Sequence, residues 1–312
     1  MKKKGFIYLI ISLLLIATMT FFISKSSLVV TNEERENDPF TETEPSPSNG
    51  IGISAYKDDD APLLDHEYLE VKDGKSDFQL VIHNEVAEER NYGVIVFQDY
   101  QQTGFRHQGK DIPIMYEFTA APQSENVLPI ELDIIDDATE VIALIVKDPQ
   151  VLTEEMDFDK LFFYEQVFAK RYIIEDSSIN KELAFSEPSF IYDSVDDQTT
   201  ILFRPSAEEE FITSSMKSND DAYLFIGSPF VDEGITYAVI ALKDWQQINV
   251  TEENDVLYTK VNANGNQVYP IKVPEVKKAE NLQFIAFPYP YEVWNDRYAF
   301  NVEQTVRTVI LP

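Results

Sequence analysis

The sequence predicts an all-β protein: two tandem, internally duplicated, immunoglobulin-like β-sandwich domains that follow one N-terminal transmembrane helix. Three observations lead there. A block of residues recurs about 145 positions later. Short runs rich in Val, Ile, Phe and Tyr alternate with clusters of Asp, Asn, Pro and Gln, with no long amphipathic helices between them. The chain opens with three lysines and a long uncharged apolar stretch.

Lys2, Lys3 and Lys4 precede Gly5–Ser24, a segment without charge and dominated by Ile, Leu and Phe. At 1.5 Å rise per residue, a segment of this length reaches about 30 Å, the thickness of the hydrocarbon layer. The lysines mark the cytoplasmic side, so residues 1–4 form a cytoplasmic tail, 5–24 the membrane anchor, and everything beyond Lys25 lies outside. The competing expectation is a cleaved signal peptide with a secreted mature chain beginning near residue 27. The anchor is favoured because the apolar run is long and ends in Phe21, Phe22 and Ile23, without a small-x-small cleavage site. With no cysteine in the chain, lipid anchoring of a bacterial lipoprotein type is excluded.

Residues 25–50 are rich in Glu, Ser, Thr and Pro, the composition of a disordered acidic tether. The repeat begins after it. Residues 92–102 read YGVIVFQDYQQ and residues 237–247 read YAVIALKDWQQ. The match continues from Ile114-Met115-Tyr116 to Val256-Leu257-Tyr258, from Val127-Leu128-Pro129-Ile130 to Val268-Tyr269-Pro270-Ile271, and from Ala143-Leu144-Ile145-Val146 to Phe284-Ile285-Ala286-Phe287. Glu165-Gln166-Val167 is aligned with Glu303-Gln304-Thr305. The offset falls from 145 to 138 between these blocks, where loops accept deletions. The copies are expected at 51–175 and 183–312, joined by residues 176–182.

Strands are expected in the first copy at Phe78–His83, Tyr92–Phe97, Ile112–Thr119, Leu128–Ile135, Glu140–Val146 and Phe168–Ile174. In the second they are expected at Thr199–Phe203, Tyr223–Ile226, Tyr237–Leu242, Val256–Val261, Val268–Val273, Leu282–Phe287 and Val302–Leu311. Asn264-Gly265 reads as a hairpin turn, and short helical turns are expected at Leu152–Phe162 and Ser206–Met216, the latter with Ser206 and Glu209 as a capping box.

Composition excludes several chemistries. The chain holds 25 Lys plus Arg against 55 Asp plus Glu, a net charge of −30, which opposes nucleic-acid binding. It has three histidines and no cysteine, so thiolate catalysis and Cys-based zinc sites are absent. The 10 glycines form no phosphate-cradling turn, and no cofactor is expected. His66, His83 and His107 all lie in the first copy, so a Ser–His–Asp site common to both copies is not expected; His83 reads as a satisfied edge residue. Acidic pairs such as Asp136-Asp137 and Asp220-Asp221 lack the spacing that gathers six oxygens around Ca²⁺, and read as solvated loops. Asn249-Val250-Thr251 fits a glycosylation sequon.

Two groups of residues stand out as candidate binding positions. Asp99-Tyr100 and Asp244-Trp245 are retained, each followed by Gln-Gln, at the end of a buried strand. The structural expectation is that the aspartate accepts backbone N–H bonds while the aromatic packs over the sheet edge. The second group is Tyr289, Tyr291, Trp294 and Tyr298 in PYPYEVWNDRY, a proline-stiffened aromatic loop of the make-up that recognition surfaces use. The expected function is a non-enzymatic, membrane-anchored extracytoplasmic module of a bacterial-type cell envelope, binding or assembling with an envelope protein or glycan. The alternatives are an envelope hydrolase working with carboxylates in an interdomain groove, or a structural accessory subunit of a membrane complex.

Overall fold

A computed structural model describes residues 50–57, 61–64, 67–153, 166–174, 181–192, 200–208, 212–228, 234–292 and 302–312. The expected anchor at 5–24 and tether at 25–50 fall almost wholly outside them. Every element among the described residues is a strand, and no helix there is long and apolar enough to cross a membrane.

The first sandwich comprises β1 (Ile51–Tyr56), β2 (Tyr68–Leu69), β3 (Lys75–Asn84), β4 (Arg90–Gln98), β5 (Gln101–Thr103), β6 (Phe105–His107), β7 (Lys110–Ile112), β8 (Tyr116–Ala120), β9 (Ser124–Asp133), β10 (Glu140–Lys147) and β11 (Val167–Ile174). The second comprises β12 (Phe190–Tyr192), β13 (Ile201–Arg204), β14 (Ser215–Lys217), β15 (Asp221–Gly227), β16 (Ile235–Lys243), β17 (Gln246–Ile248), β18 (Leu257–Val261), β19 (Asn266–Lys272), β20 (Glu280–Pro288), β21 (Glu303–Gln304) and β22 (Thr308–Leu311). In the first, an outer sheet β1-β3-β9-β6-β7 covers an inner sheet β2-β11-β10-β4-β5, with β8 beside β4. In the second, an outer sheet β12-β19-β15-β13 covers an inner sheet β14-β22-β20-β16-β17, with β18 beside β16 and β21 beside β20.

The residue pattern explains the layering. β9 alternates between buried and more exposed positions along its central length, as a strand with one solvated face must. β4 and β10 are apolar without alternation, and every residue of β10 is buried. Such strands need cover on both faces. Tyr92, Val94, Val96, Val141, Ala143 and Ile145 point into the first sandwich's own core. Ile95, Phe97, Ile142, Leu144 and Val146 point the other way and pack against Ala238, Ile240, Leu242, Ile285 and Phe287 of the second sandwich. The two inner sheets therefore lie face to face, and four layers form one compact unit, Pro47–Pro312.

Ladder register tests the repeat directly. Val96 pairs with Ala143, and Ala241 pairs with Phe284, which reproduces the offsets of 145 and 141 read from the sequence. Two correspondences shift. Val94 pairs with Tyr116 while Val239 pairs with Leu257, so Tyr116 corresponds to Leu257 and not to Tyr258. Ala169 pairs with Leu144 while Gln304 pairs with Ile285, so Gln304 corresponds to Ala169 and not to Gln166. The first shift is one residue and the second three, from Gln166 to Ala169, and an odd slip in a strand exchanges the two faces.

Several local expectations changed. The strand expected at Ile112–Thr119 is divided between β7 and β8, which belong to different sheets, and the one expected at Val302–Leu311 is interrupted between β21 and β22. Ser206 accepts the Glu208 N–H at 3.2 Å, a local turn, and Ser215–Lys217 is extended as β14 in place of the expected helical turn. Asn264-Gly265 joins β18 of the inner sheet to β19 of the outer one, so it is a crossover between layers and not a hairpin within a sheet. Most of Leu152–Phe162 lies outside the described residues.

Candidate functional site

Asp99-Tyr100 and Asp244-Trp245 are two-residue hairpin loops, β4 to β5 and β16 to β17. All four residues have positive φ, between 48° and 68°, as a type I′ turn requires at both central positions. Placing an aromatic there costs about 1–2 kcal/mol of backbone strain. Burying the ring returns about 1.5–3 kcal/mol, so burial wins. Tyr100 is 0% and Trp245 4% exposed, and both lie in the cluster between the sandwiches.

The glutamines complete a pseudo-twofold seam. The Gln102 N–H donates to Gln247 Oε1 at 2.6 Å, and the Gln247 N–H donates to Gln102 Oε1 at 2.7 Å. Gln102 Nε2 donates to the Trp245 carbonyl and Gln247 Nε2 to the Tyr100 carbonyl, both at 2.9 Å. The aspartates differ. Asp99 Oδ1 accepts the N–H groups of Thr139 and Glu140 at 2.8 and 2.9 Å, and Oδ2 pairs with Lys181. The Asp244 side chain is half exposed and lies 3.7 Å from Lys278.

Sequence reasoning missed two arginines that clamp this seam. Arg171 and Arg307 occupy equivalent places, opposite Ile142 by register and, by extension of the β20–β22 ladder, opposite Gln283. Arg171 donates to the carbonyls of Pro288 (2.5 Å) and Tyr289 (3.3 Å), and Arg307 to those of Lys147 (3.0 Å) and Asp148 (2.9 Å). Arg171 also holds Glu140 at 2.5 Å, and Glu140 accepts the Tyr100 hydroxyl (2.5 Å) and the Tyr291 N–H (3.1 Å). In the other half Asn281 replaces Glu140, and Arg307 lies 4.7 Å from the Trp245 ring centroid. The signal was a lone arginine in each copy's last apolar strand.

Three tyrosine hydroxyls of the seam are shifted upward. Burial pushes the Tyr100 hydroxyl well above its ordinary value, with Arg171 opposing and Glu140 reinforcing the shift. Burial pushes Tyr258 up to about 12. Tyr291 is raised by burial and by its hydrogen bond with Tyr258, hydroxyl to hydroxyl at 2.9 Å.

The aromatic loop takes part in the same seam. Tyr291 is 5% exposed, its ring 5.3 Å from that of Tyr100. Tyr289 is partly buried against the second core. Neither stands free as a recognition surface, because the loop follows a strand buried on both faces. Trp294 and Tyr298 lie outside the described residues.

Other expected features are scattered. His107 is buried, with Nδ1 3.0 Å from the Pro129 carbonyl. His83 lies between Ser54 (3.3 Å from Nε2) and Glu125 (3.4 Å from Nδ1) on the open outer face of the first sandwich. Ser54 sits within the β1–β3 ladder, opposite Val81. His66 lies outside the described residues, and no group of three metal-ligating side chains occurs among those described.

A cleft of about 920 Å³ lies in the second sandwich. Its walls are the strap Ala184–Ser189, the turn Asn249–Asn254, the start of β15 and the end of β19. The strap is fixed by the Ser186 N–H to the Tyr258 carbonyl (2.9 Å) and by the Tyr269 hydroxyl to the Ser186 carbonyl (3.2 Å). The turn is closed by Val250 N–H to the Asn254 carbonyl at 2.7 Å. Glu187, Asp221, Glu252 and Glu253 stand exposed around the rim, and Lys272 is held by Asp221 at 2.8 Å. Phe185, half exposed, supplies an aromatic wall.

No protein-family model and no curated protein matches the chain. Among solved structures, it is similar to the C-terminal domain of the Streptococcus agalactiae AgI/II polypeptide BspA, at 6% identity over 84% of this chain and 100% of that one, with a TM-score of 0.22. It is also similar to red sea bream transglutaminase, at 9% identity over 84% of this chain and 31% of that one, with a TM-score of 0.22. The calcium-binding domain CBD12 of CALX1.1 is similar at 12% identity over 74% of this chain and 80% of that one, with a TM-score of 0.21. Likenesses this distant carry no argument about the site, and the all-β sandwich architecture rests on the strands and their registers.

Proposed function

We propose that this chain is a membrane-anchored, extracytoplasmic binding or assembly module of a bacterial-type cell envelope, without catalytic activity. The lysines before Gly5–Ser24 support the anchor and its orientation. The orders β1-β3-β9 and β11-β10-β4 support the immunoglobulin-like layout. One observation carries binding over catalysis. The duplicated Asp-aromatic-Gln-Gln motif is used to join the sandwiches, and the cleft of the second sandwich has an aromatic wall and exposed acids on its rim. A hydrolase of the alternative kind needs facing carboxylates in an interdomain groove. The described seam is filled by side chains such as Phe97, Ile240 and Phe287, and its buried Glu140 is paired with Arg171.

An envelope protein is the favoured partner, with glycan as the alternative outcome. The test immobilises the purified full chain, exposes it to envelope extract, and compares retained material with that on a chain carrying cleft substitutions. A specifically retained protein supports the reading, whereas a retained glycan redirects it and nothing above the bead control removes it. Mass spectrometry of the cellular N-terminus tests the anchor, which a mature chain starting near residue 27 would refute.

A further inference from the structure

We infer that the cleft of the second sandwich is a strand-acceptor site, taking an extended, arginine- or lysine-bearing segment of a partner protein along the open edge of β19. This rests on the binding-module reading above and names the chemistry of the partner.

The molecule carries its own template for such an occupant. In the first sandwich the hairpin β6–β7 covers the edge of β9. Arg106 pairs with Glu131 in the ladder, and the Arg106 guanidinium reaches Glu131 at 3.3 Å and Asp133 at 3.5 Å. His107 Nδ1 meets the Pro129 carbonyl at 3.0 Å. By the repeat, Pro129 and Glu131 correspond to Pro270 and Lys272. The second copy has no such hairpin, because residues 249–256 make the connection that residues 104–115 make in the first. Here the offset between copies drops from 145 to 141. β12 covers β19 only at Asn266–Val268, and among the described residues no strand pairs with that edge beyond it.

Backbone direction shows what the open edge offers. The Val273 N–H donates to the Asp220 carbonyl, and the Asn219 N–H donates to the Val273 carbonyl, so odd-numbered residues of β19 turn their amides toward β15. The Ser189 N–H donates to the Val268 carbonyl, so even-numbered residues turn theirs the other way. Pro270 and Lys272, both exposed and both lining the cleft, therefore present one carbonyl, then one N–H and one carbonyl. Proline is tolerated in a strand where its nitrogen faces no ladder partner, and it blunts an edge against indiscriminate pairing. An incoming strand gains backbone bonds here in the manner of β-augmentation, with side-chain chemistry supplying selectivity.

That chemistry is cationic. Four exposed acids rim the cleft and its one lysine is already paired with Asp221. Residues 51–312 carry 20 basic and 49 acidic side chains, a field that steers cations in and repels a second copy of the chain. Phe185 offers an apolar or cation–π contact beside them.

The probe is a fluorescein-labelled peptide of alternating arginine and valine, titrated against the purified full chain at about 100 mM salt, where charges beyond roughly 10 Å are screened. Three comparisons are needed. The first is the same peptide N-methylated at alternate residues, which keeps its charge and loses the outward donors. The second is the cleft variant E187Q/E252Q/E253Q, all exposed side chains whose replacement leaves the core intact. The third is a control variant on the first sandwich, E88Q/D111N/D136N, of equal charge change. Anisotropy is expected to show at least tenfold weaker binding for the methylated peptide and for the cleft variant, and less than twofold weakening for the control. Equal binding by the methylated peptide, equal weakening in both variants, no binding, or self-association of the chain abolished by the cleft variant each overturns the inference. A cleft variant that still retains its envelope partner removes the slot and leaves the module reading. A chain that binds the peptide through the cleft but retains no envelope partner does the reverse.

Discussion

Replacing Arg171 with Leu removes the best-connected side chain of the seam. Four bonds disappear: to Glu140, to the Tyr100 hydroxyl, and to the carbonyls of Pro288 and Tyr289. Glu140, 0% exposed, is left as a buried charge. Breaking one partner of a buried pair typically costs about 3–5 kcal/mol. The lower end applies because the Tyr100 hydroxyl and the Tyr291 N–H still donate to the carboxylate. A loss of about 3 kcal/mol in a unit of this size lowers the melting temperature by roughly 6–12 °C. The double variant R171L/E140L removes the stranded charge and is expected to recover about 1–2 kcal/mol of that loss, since apolar replacement of a whole buried pair is often near neutral. Thermal and urea unfolding followed by circular dichroism at neutral pH measure both. The reasoning fails if R171L costs under about 1 kcal/mol, or if the double variant is as unstable as the two single losses combined.

Three further outcomes are expected. Gln102→Ala and Gln247→Ala should each cost about 1–2 kcal/mol in urea unfolding; each removes a different pair of bonds to the sister domain's backbone, so the double variant should cost about the sum, and two single losses below about 0.3 kcal/mol contradict the seam. Asp99→Ala should cost about 1–2 kcal/mol, since two backbone donors and Lys181 lose their acceptor, whereas Asp244→Ala should stay within about 0.5 kcal/mol; equal costs would refute the asymmetry. Tyr258 has its folded-state pKa raised by burial from 10.0 to about 12, so its contribution is complete below pH 10 and is lost as pH rises toward 12. Absorbance of tyrosinate should therefore show late-titrating groups, Tyr258 together with Tyr100 and Tyr291, whose ionisation accompanies unfolding, and Tyr258→Phe should shrink that late step by one tyrosine; a full tyrosine complement titrating near 10 in the folded chain would sink the claim.

Much of the strand pattern was readable because side-chain periodicity reports burial. The runs at 92–97, 140–146, 237–242 and 282–287 are central strands β4, β10, β16 and β20. Their lack of alternation already implied cover on both faces, so the four-layer arrangement was latent in YGVIVF and EVIALIV. Short edge strands such as β2, β12 and β14 escaped notice because two or three residues carry no period. The retained Asp-aromatic-Gln-Gln motif marked an important place correctly, but two readings of one motif, a surface for a ligand and a surface for the sister domain, look alike in a list of letters. The arginines were invisible for a related reason: a charged residue in an apolar strand announces a buried partner only when that partner, here carbonyls more than a hundred residues away, is in contact.

Composition, charge placement and the internal repeat were sufficient to establish an all-β chain with two related halves, because covalent order alone carries that information. Which surfaces the halves bury and which they leave open required long-range geometry. Burial depends on contacts between residues 145 positions apart, such as Gln102 and Gln247. The difference between a covered β9 and an open β19 follows from a shorter connection between β17 and β18. In sequence that is merely a change of offset; in the folded sandwich it decides whether an edge strand keeps its backbone groups for itself or offers them to another chain.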